Sequence, residues 1–435
     1  MAEFNLLDEP WINVMTDDKG TTKEVSLKEL FEHAHDYKSL AGETPTQDFA
    51  ILRLLLAVLH TVFSRFDANG EQYEWVELDD NYKQTKSINE DDGEEYQEAL
   101  LDTWRDLWEA KAFPEIIGAY LEKWRDRFYL FGGDYPFYQV TEDTLNLPVN
   151  KAKVNRISGK TIKRTLSESE NKTILFSPEF DALKSKLRKS EVSRWLVLYQ
   201  GVTGTGDKVK FDNQHKDQKL SKGWLYDLGG VYVSGDDLFD TLLLNLALIH
   251  PEERYIQMQH PTWEEDSNEE MLHQFREGKT LDNLAALYTN WSRAIRIPDD
   301  FEEINDFSVS IIKLPEIDHQ NNFLELMTEW RFNKTGDNKD TFTPKKHSLN
   351  EQFWRSFGIT FTPNNLSQRR PGIIEWIIYL KDKEVTLRHQ KFNAVSMEDD
   401  GNATSWNPVN EIFDNVSFGN IISDATDGWI NSIAG

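Results

Sequence analysis

The sequence predicts an α+β protein, with helices and short strands interleaved and a β-rich hairpin region near the C-terminal end. Three observations carry this. Phe49, Leu52, Leu55, Leu56, Leu59, Val62 and Phe63 follow Thr46 at helical spacing, the pattern of a helix facing a core. Residues 4–15 and 23–27 read as short strands separated by a turn at Pro10 and another at Asp17-Asp18-Lys19-Gly20. Glu398-Asp399-Asp400-Gly401-Asn402 is a polar turn between an apolar segment over 385–397 and another that begins at Ala403.

The other elements follow in order. Ser26 caps a short helix with Leu27, Leu30 and Phe31 on one face. Residues 76–99 are acidic and read as an exposed loop. Helices are expected at 100–108, 116–128, 190–199, 237–249 and 283–295. Strands are expected at 231–233, 295–297, 307–314, 324–332 and 373–380, the last opening the β-rich region. Residues 333–350 read as a loop carrying Lys334, Lys345, Lys346 and His347. Residues 421–434 read as the opening of a helix.

Composition bounds the chemistry. With 435 residues and 39% hydrophobic content the chain can bury a large core over two or three units. The absence of Cys excludes disulfides, thiolate catalysis, iron–sulfur clusters and Cys-based zinc sites, and suits a reducing cytoplasm. No signal-peptide pattern opens the chain, no apolar run approaches 18 residues, and no membrane is expected among its partners. The formal charge of −27 opposes long-range attraction to nucleic acid.

Against that charge, residues 151–167 hold six basic side chains and no acidic one: Lys151, Lys153, Arg156, Lys160, Lys163 and Arg164. Such a run suits a phosphate backbone, or it is a solvated loop. A second Gly-rich segment, 201–230, carries Lys208, Lys210, Lys216, Lys219 and Lys222. No P-loop, dinucleotide fingerprint, H-E-x-x-H or G-x-S-x-G motif occurs. His33 and His35 read as surface residues rather than metal ligands, and no metal or cofactor is expected. Nothing in the residues supports a catalytic centre. Gly-rich basic segments, the hairpin turn and Trp330-Arg331 suit nucleic-acid contact; each also suits ordinary turn or core packing.

Five ordered motifs resemble the CasA family, the large subunit of the type I-E CRISPR surveillance complex, Cascade. Asn5-Leu6-Leu7-Asp8-Glu9-Pro10-Trp11-Ile12-Asn13-Val14 is similar to its N-L-L-x-x-x-W-I-P-V, departing at Asn13. Tyr135-Pro136-Phe137-Tyr138-Gln139 is similar to H-P-F-x-Q. Gly235-Asp236-Asp237-Leu238 through Thr241-Leu242-Leu243-Leu244-Asn245-Leu246 is similar to G-x-[ND]-L-x-x-T-L-L-L-N-L. Pro261-Thr262-Trp263 matches P-T-W, and residues 288–296 resemble Y-L-T-W-x-S-R-R-I-R.

The resemblance implies a large mixed α/β N-terminal domain (1–370), a β-rich hairpin region (371–420) and, at 421–435, the start of a C-terminal four-helix bundle that is otherwise missing or truncated. It implies a non-catalytic subunit that reads the PAM of double-stranded DNA from the minor groove. That subunit helps start unwinding for guide RNA pairing and recruits a helicase-nuclease, beside other Cascade subunits. Carried over, the PAM loop falls at Ser221, Lys222, Gly223 and Trp224. The basic finger falls at Arg331, and the hairpin wedge at Gly401, Asn402 and Ala403. Residues 151–164 stand where the family has a loop that touches nucleic acid and docks the subunit. The competing reading is an acidic protein-interaction scaffold with no nucleic-acid role; an acidic hydrolase using paired carboxylates comes third.

Overall fold

A computed structural model describes residues 3–145, 155–165, 168, 179–181, 183–204, 209, 222–252, 258–267, 270, 272–274, 281–298, 307–348, 364–401 and 408–417. Lys151, Lys153, Ser221, Asn402, Ala403 and the expected bundle start at 421–435 lie outside the described residues.

Strands β1 (Phe4–Asn5), β2 (Ile12–Met15), β3 (Thr22–Val25) and β4 (Ser39–Leu40) open the chain, and β2 lies between β3 and β4. Helix α1 (Leu27–Glu32) is capped by Ser26, whose hydroxyl accepts from the Glu29 amide. Helix α2 (Pro45–Phe63) begins before Thr46, because Thr44 takes the cap position and Pro45 the first turn, where its missing N–H has no partner to lose. It is apolar on every side and buried almost throughout, the pattern of a central core helix. By length and hydropathy it could cross a membrane, contrary to the reading of the sequence, yet 94% of it is buried in the protein.

Helix α3 (Gly93–Ala110) starts inside the acidic stretch, with Glu94 and Glu95 in its first turn facing the positive end of the helix dipole. Helix α4 (Ile116–Lys123) is followed by β5 (Tyr129–Phe131), which pairs with β1. Then come β6 (Asn155–Ser158), α5 (Lys189–Gly201), β7 (Gly230–Ser234), α6 (Leu238–Asn245) and α7 (Leu284–Tyr288). Strands β8 (Arg293–Arg296) and β9 (Ser308–Lys313) complete a sheet ordered β6-β9-β8. The helix expected over 283–295 therefore ends early. The strand expected over 324–332 is reduced to β10 (Trp330–Phe332), which pairs with β11 (Phe342–Pro344).

Residues 373–380 are not a strand. They lie in helix α8 (Gly372–Asp382), which buries Ile373, Ile374, Trp376, Ile377 and Leu380 along one side. Four isoleucines suggested β structure, but the spacing of the buried positions is helical. The hairpin β12 (Lys391–Asp399) and β13 (Pro408–Ser417) is present, and β12 also pairs with β7. A sheet thus runs across the expected boundary at 370/371, joining the hairpin to the N-terminal part.

Candidate nucleic-acid interface

Strand alternation sets the first side chain of the site. In the β10–β11 pair Trp330 turns inward and Arg331 outward, so Arg331 is exposed opposite Thr343. It has no ion-pair partner among the described residues. Asn321 braces this hairpin: its amide donates to the Phe342 carbonyl and its Oδ1 accepts from the Phe342 amide, both at 2.9 Å. Gln320 Nε2 donates to Asn338 Oδ1 at 2.9 Å.

The opposite wall comes from the expected PAM loop. Lys222 is half-buried and bonds Asp227 at 2.9 Å. Gly223 has a packing role: a Cβ there would lie 2.1 Å from the Gly201 carbonyl oxygen at the end of α5. Trp224, expected to face DNA, is buried instead. Its ring stacks on His319 with centroids 4.1 Å apart, and its Nε1 donates to Glu325 Oε2 at 2.5 Å. An indole with its N–H satisfied beneath the surface is a foundation for the loop, not a contact.

Lys346 supplies a third cation. Its ammonium lies 4.0 Å from the Tyr226 ring centroid and bonds Asp399 Oδ2 at 2.9 Å. Lys222, Arg331 and Lys346 line one cleft of about 510 Å³, with Gln320, Asn338, Thr343 and three acids, Asp227, Glu316 and Asp318. In a chain of charge −27 this patch balances three cations against three acids, so an anion meets less repulsion here than the net charge implies. The sequence named Lys222 and Arg331; it held Lys346 as one of several loop cations, with no signal that would single it out.

A buried ion pair carries the cleft. Arg53 of α2 grips Glu325 with two bonds of 2.8 Å, and Glu325 also accepts from the Met327 amide and Trp224. Burial acts to raise the Glu325 pKa, but Arg53 and these donors hold it below the ordinary carboxylate value. Burial lowers the His319 pKa, and the neutral ring donates Nε2–H to the Trp224 carbonyl at 3.0 Å.

The hairpin root adjoins the same cleft. Asp399, opposite Pro408, accepts from the Gly401 amide at 2.8 Å and from the Tyr226 hydroxyl. Burial acts to raise its pKa, and Lys346 with these donors brings it below the usual value. Gly401 adopts φ +73°, a turn conformation that glycine takes without strain. The expected wedge residues Asn402 and Ala403 lie outside the described residues.

The basic run does not form one cationic face. Arg156 is exposed on β6, and Lys160 lies half-buried just beyond it. Lys163 is buried, bonding Glu179 at 3.0 Å. Arg164 is buried too, over the Tyr199 ring and donating to the Thr161 carbonyl. The sequence reading counted all six as available to phosphate. It missed that Glu179, beyond the run, folds back on Lys163, and that arginine packs readily on an aromatic face.

The motif residues prove to be structural. Asn245 donates to the Val233 carbonyl and accepts from its amide, locking α6 to β7. Trp263 donates to the Tyr120 hydroxyl, and adjacent Glu264 takes two bonds from Arg65. Gln139, buried, holds the Leu130 carbonyl and the Ile297 amide.

Comparison with known proteins agrees with this architecture. A curated CasA/Cse1 protein of Thermus thermophilus is 28% identical over 266 residues, covering 61% of this chain and 42% of that relative. The alignment thus spans less than half of the relative's length. The crystal structure of Thermobifida fusca Cse1 matches with TM-score 0.73 at 24% identity, covering 99% of this chain and 77% of that one. A chain of a CRISPR RNA-guided surveillance complex matches with TM-score 0.69 at 14% identity, covering 98% of this chain and 78% of that one. The family model described as CRISPR-associated protein Cse1 matches residues 5–433, and the chain belongs to the Cse1 (CasA) family.

Proposed function

We propose that this chain is the non-catalytic large subunit of an RNA-guided CRISPR surveillance complex, acting in the cytoplasm, and that its cleft receives double-stranded DNA from the minor groove. The observation that carries the reading is the convergence of Lys222, Arg331 and Lys346 on one cleft beside the hairpin root. Lys222 and Arg331 come from distant parts of the sequence and meet in the fold. Arg331, exposed on a braced hairpin, engages the minor groove, where readout is degenerate and PAM preference is correspondingly relaxed. The hairpin beyond Gly401, with Asn402 and Ala403, separates the neighbouring base step at a cost of a few kcal/mol. Guide RNA pairing then offsets that cost, because heteroduplex and duplex are nearly balanced. Recruitment of a helicase-nuclease, as in the family the chain resembles, follows once the strand is opened.

The test is a salt series of duplex binding by the assembled complex. Arg331→Ala should weaken binding and make the slope of log K against log salt shallower by about 0.9, one phosphate contact. An unchanged affinity and slope sinks the assignment. The scaffold reading gains from one observation: acids already neutralise Lys163 and Lys184, through Glu179 and Glu168. Capture of protein subunits by a nucleic-acid-free preparation, with no duplex binding after assembly, would establish it instead.

A further inference from the structure

Lys346 sits between two claims on its charge. On one side is the cleft that Lys222 and Arg331 also line. On the other is Asp399, at the last residue of β12. The two charged side chains are 26% and 13% exposed, so the pair is partly shielded from water yet reachable from the cleft. Asp399 has further duties: it accepts from the Gly401 amide, the first fixed point of the hairpin turn, and from Tyr226. Tyr226 lies under both ammoniums, with Lys346 at 4.0 Å and Lys222 at 5.4 Å from its centroid.

The backbone is built to bring Lys346 here. A Cβ at Gly229 would lie 1.9 Å from the Lys345 carbonyl oxygen, so the 345–347 segment passes against bare glycine backbone. His347 then bonds the Gly230 carbonyl at 2.9 Å. Gly229 and Gly230, at the start of β7, thus seat the segment that carries Lys346.

Resting on the DNA reading above, we propose that Lys346 is a phosphate-binding residue of the cleft, held in reserve by Asp399, and that a DNA phosphate takes it from Asp399. The exchange conserves charge at Lys346 but leaves Asp399 as a partly buried carboxylate without its cation, close to an incoming phosphate. Its grip on the Gly401 turn weakens, because the carboxylate now gains by moving toward water. Occupation of the cleft is thereby linked to loosening of the hairpin root, and the binding step prepares the opening step.

Two measurements test this. In the full chain without DNA, Lys346→Met should speed hydrogen exchange at Gly401 about fivefold, the effect of one lost hydrogen-bonding partner. In the assembled complex, a 20-bp duplex should speed Gly401 exchange in the wild type and add nothing in Lys346→Met. The salt slope of Lys346→Met should fall by about 0.9. Asp399→Asn, nearly isosteric and still able to accept from Gly401, should raise duplex affinity about fivefold by freeing Lys346. It also serves if Lys346→Met does not fold. Duplex binding with Gly401 exchange unchanged, or with Asp399→Asn no tighter than wild type, overturns the exchange while leaving the DNA reading intact. No duplex binding by the wild-type complex overturns both.

Discussion

Glu325 is the side chain on which the cleft geometry depends. It receives Arg53 from the central helix, the indole of Trp224 from one wall, and the Met327 amide ahead of β10 from the other. Replacing it with Gln leaves the Arg53 guanidinium buried without a counter-charge. Glu325→Gln should cost about 3–5 kcal/mol in chemical denaturation, and duplex binding should fall as the walls lose their shared anchor. A loss under ~1 kcal/mol would show that the pair is not a foundation. Gly223→Ala should destabilise by roughly 1–3 kcal/mol, since a methyl group cannot fit beside the Gly201 carbonyl, and Gly223→Ser should be no milder. Arg331 and Lys222 were named because the family resemblance places its basic finger and PAM loop on a Trp-Arg pair and a Gly-rich basic segment of this chain. Glu325 was not, because its partner lies 272 positions away and carboxylates are abundant. Trp224 was misjudged for the same reason: its burial is decided by His319 and Glu325, which no local pattern announces.

Elements show the same division. Helix α2, the α1 cap and the β2–β3 pair follow local rules of spacing, capping and turn chemistry, and the sequence predicts them nearly to the residue. Helix α8 was misread because its isoleucines favour strands, although its buried positions recur at helical spacing. The hairpin is also tied to α2 from its edge strand. Glu411 of β13 accepts from the Thr46 hydroxyl at 2.8 Å and from the Thr46 amide at 3.3 Å. Burial nevertheless pushes the Glu411 pKa up to about 7, and it does the same to Asp48, two residues beyond Thr46. A carboxyl whose folded pKa is raised gives stability that is complete below its unfolded value of 4.5 and is lost as pH climbs through about 7. Glu411 should therefore contribute stability that declines between pH 4.5 and 7, opposed over the same range by buried His60, whose pKa is lowered to about 3, and Glu411→Gln should remove the Glu411 contribution, on the order of 2–3 kcal/mol. Urea melts at pH 5 and pH 8 compare the two proteins; equal pH dependence would place the Glu411 charge outside the folding equilibrium.

At the scale of the whole molecule the charge of −27 sets what the cleft can do alone. Three cations facing three acids attract a phosphate only at short range, while the rest of the surface repels it. The free chain should bind a duplex weakly at any salt concentration, and assembly with basic partners should restore binding. The buried members of the basic run give a control within the same molecule. Lys163 is committed to Glu179 beneath the surface, so its loss removes no phosphate contact. Lys163→Met in the assembled complex should leave the salt slope unchanged, whereas Arg331→Ala makes it shallower by about 0.9. Its effect should appear in stability instead, at roughly 1–3 kcal/mol, because Glu179 loses the cation it bonds. A slope that falls for Lys163→Met as it does for Arg331→Ala would mean that DNA draws Lys163 out of its pair, and that the 155–164 segment refolds when the complex engages its target.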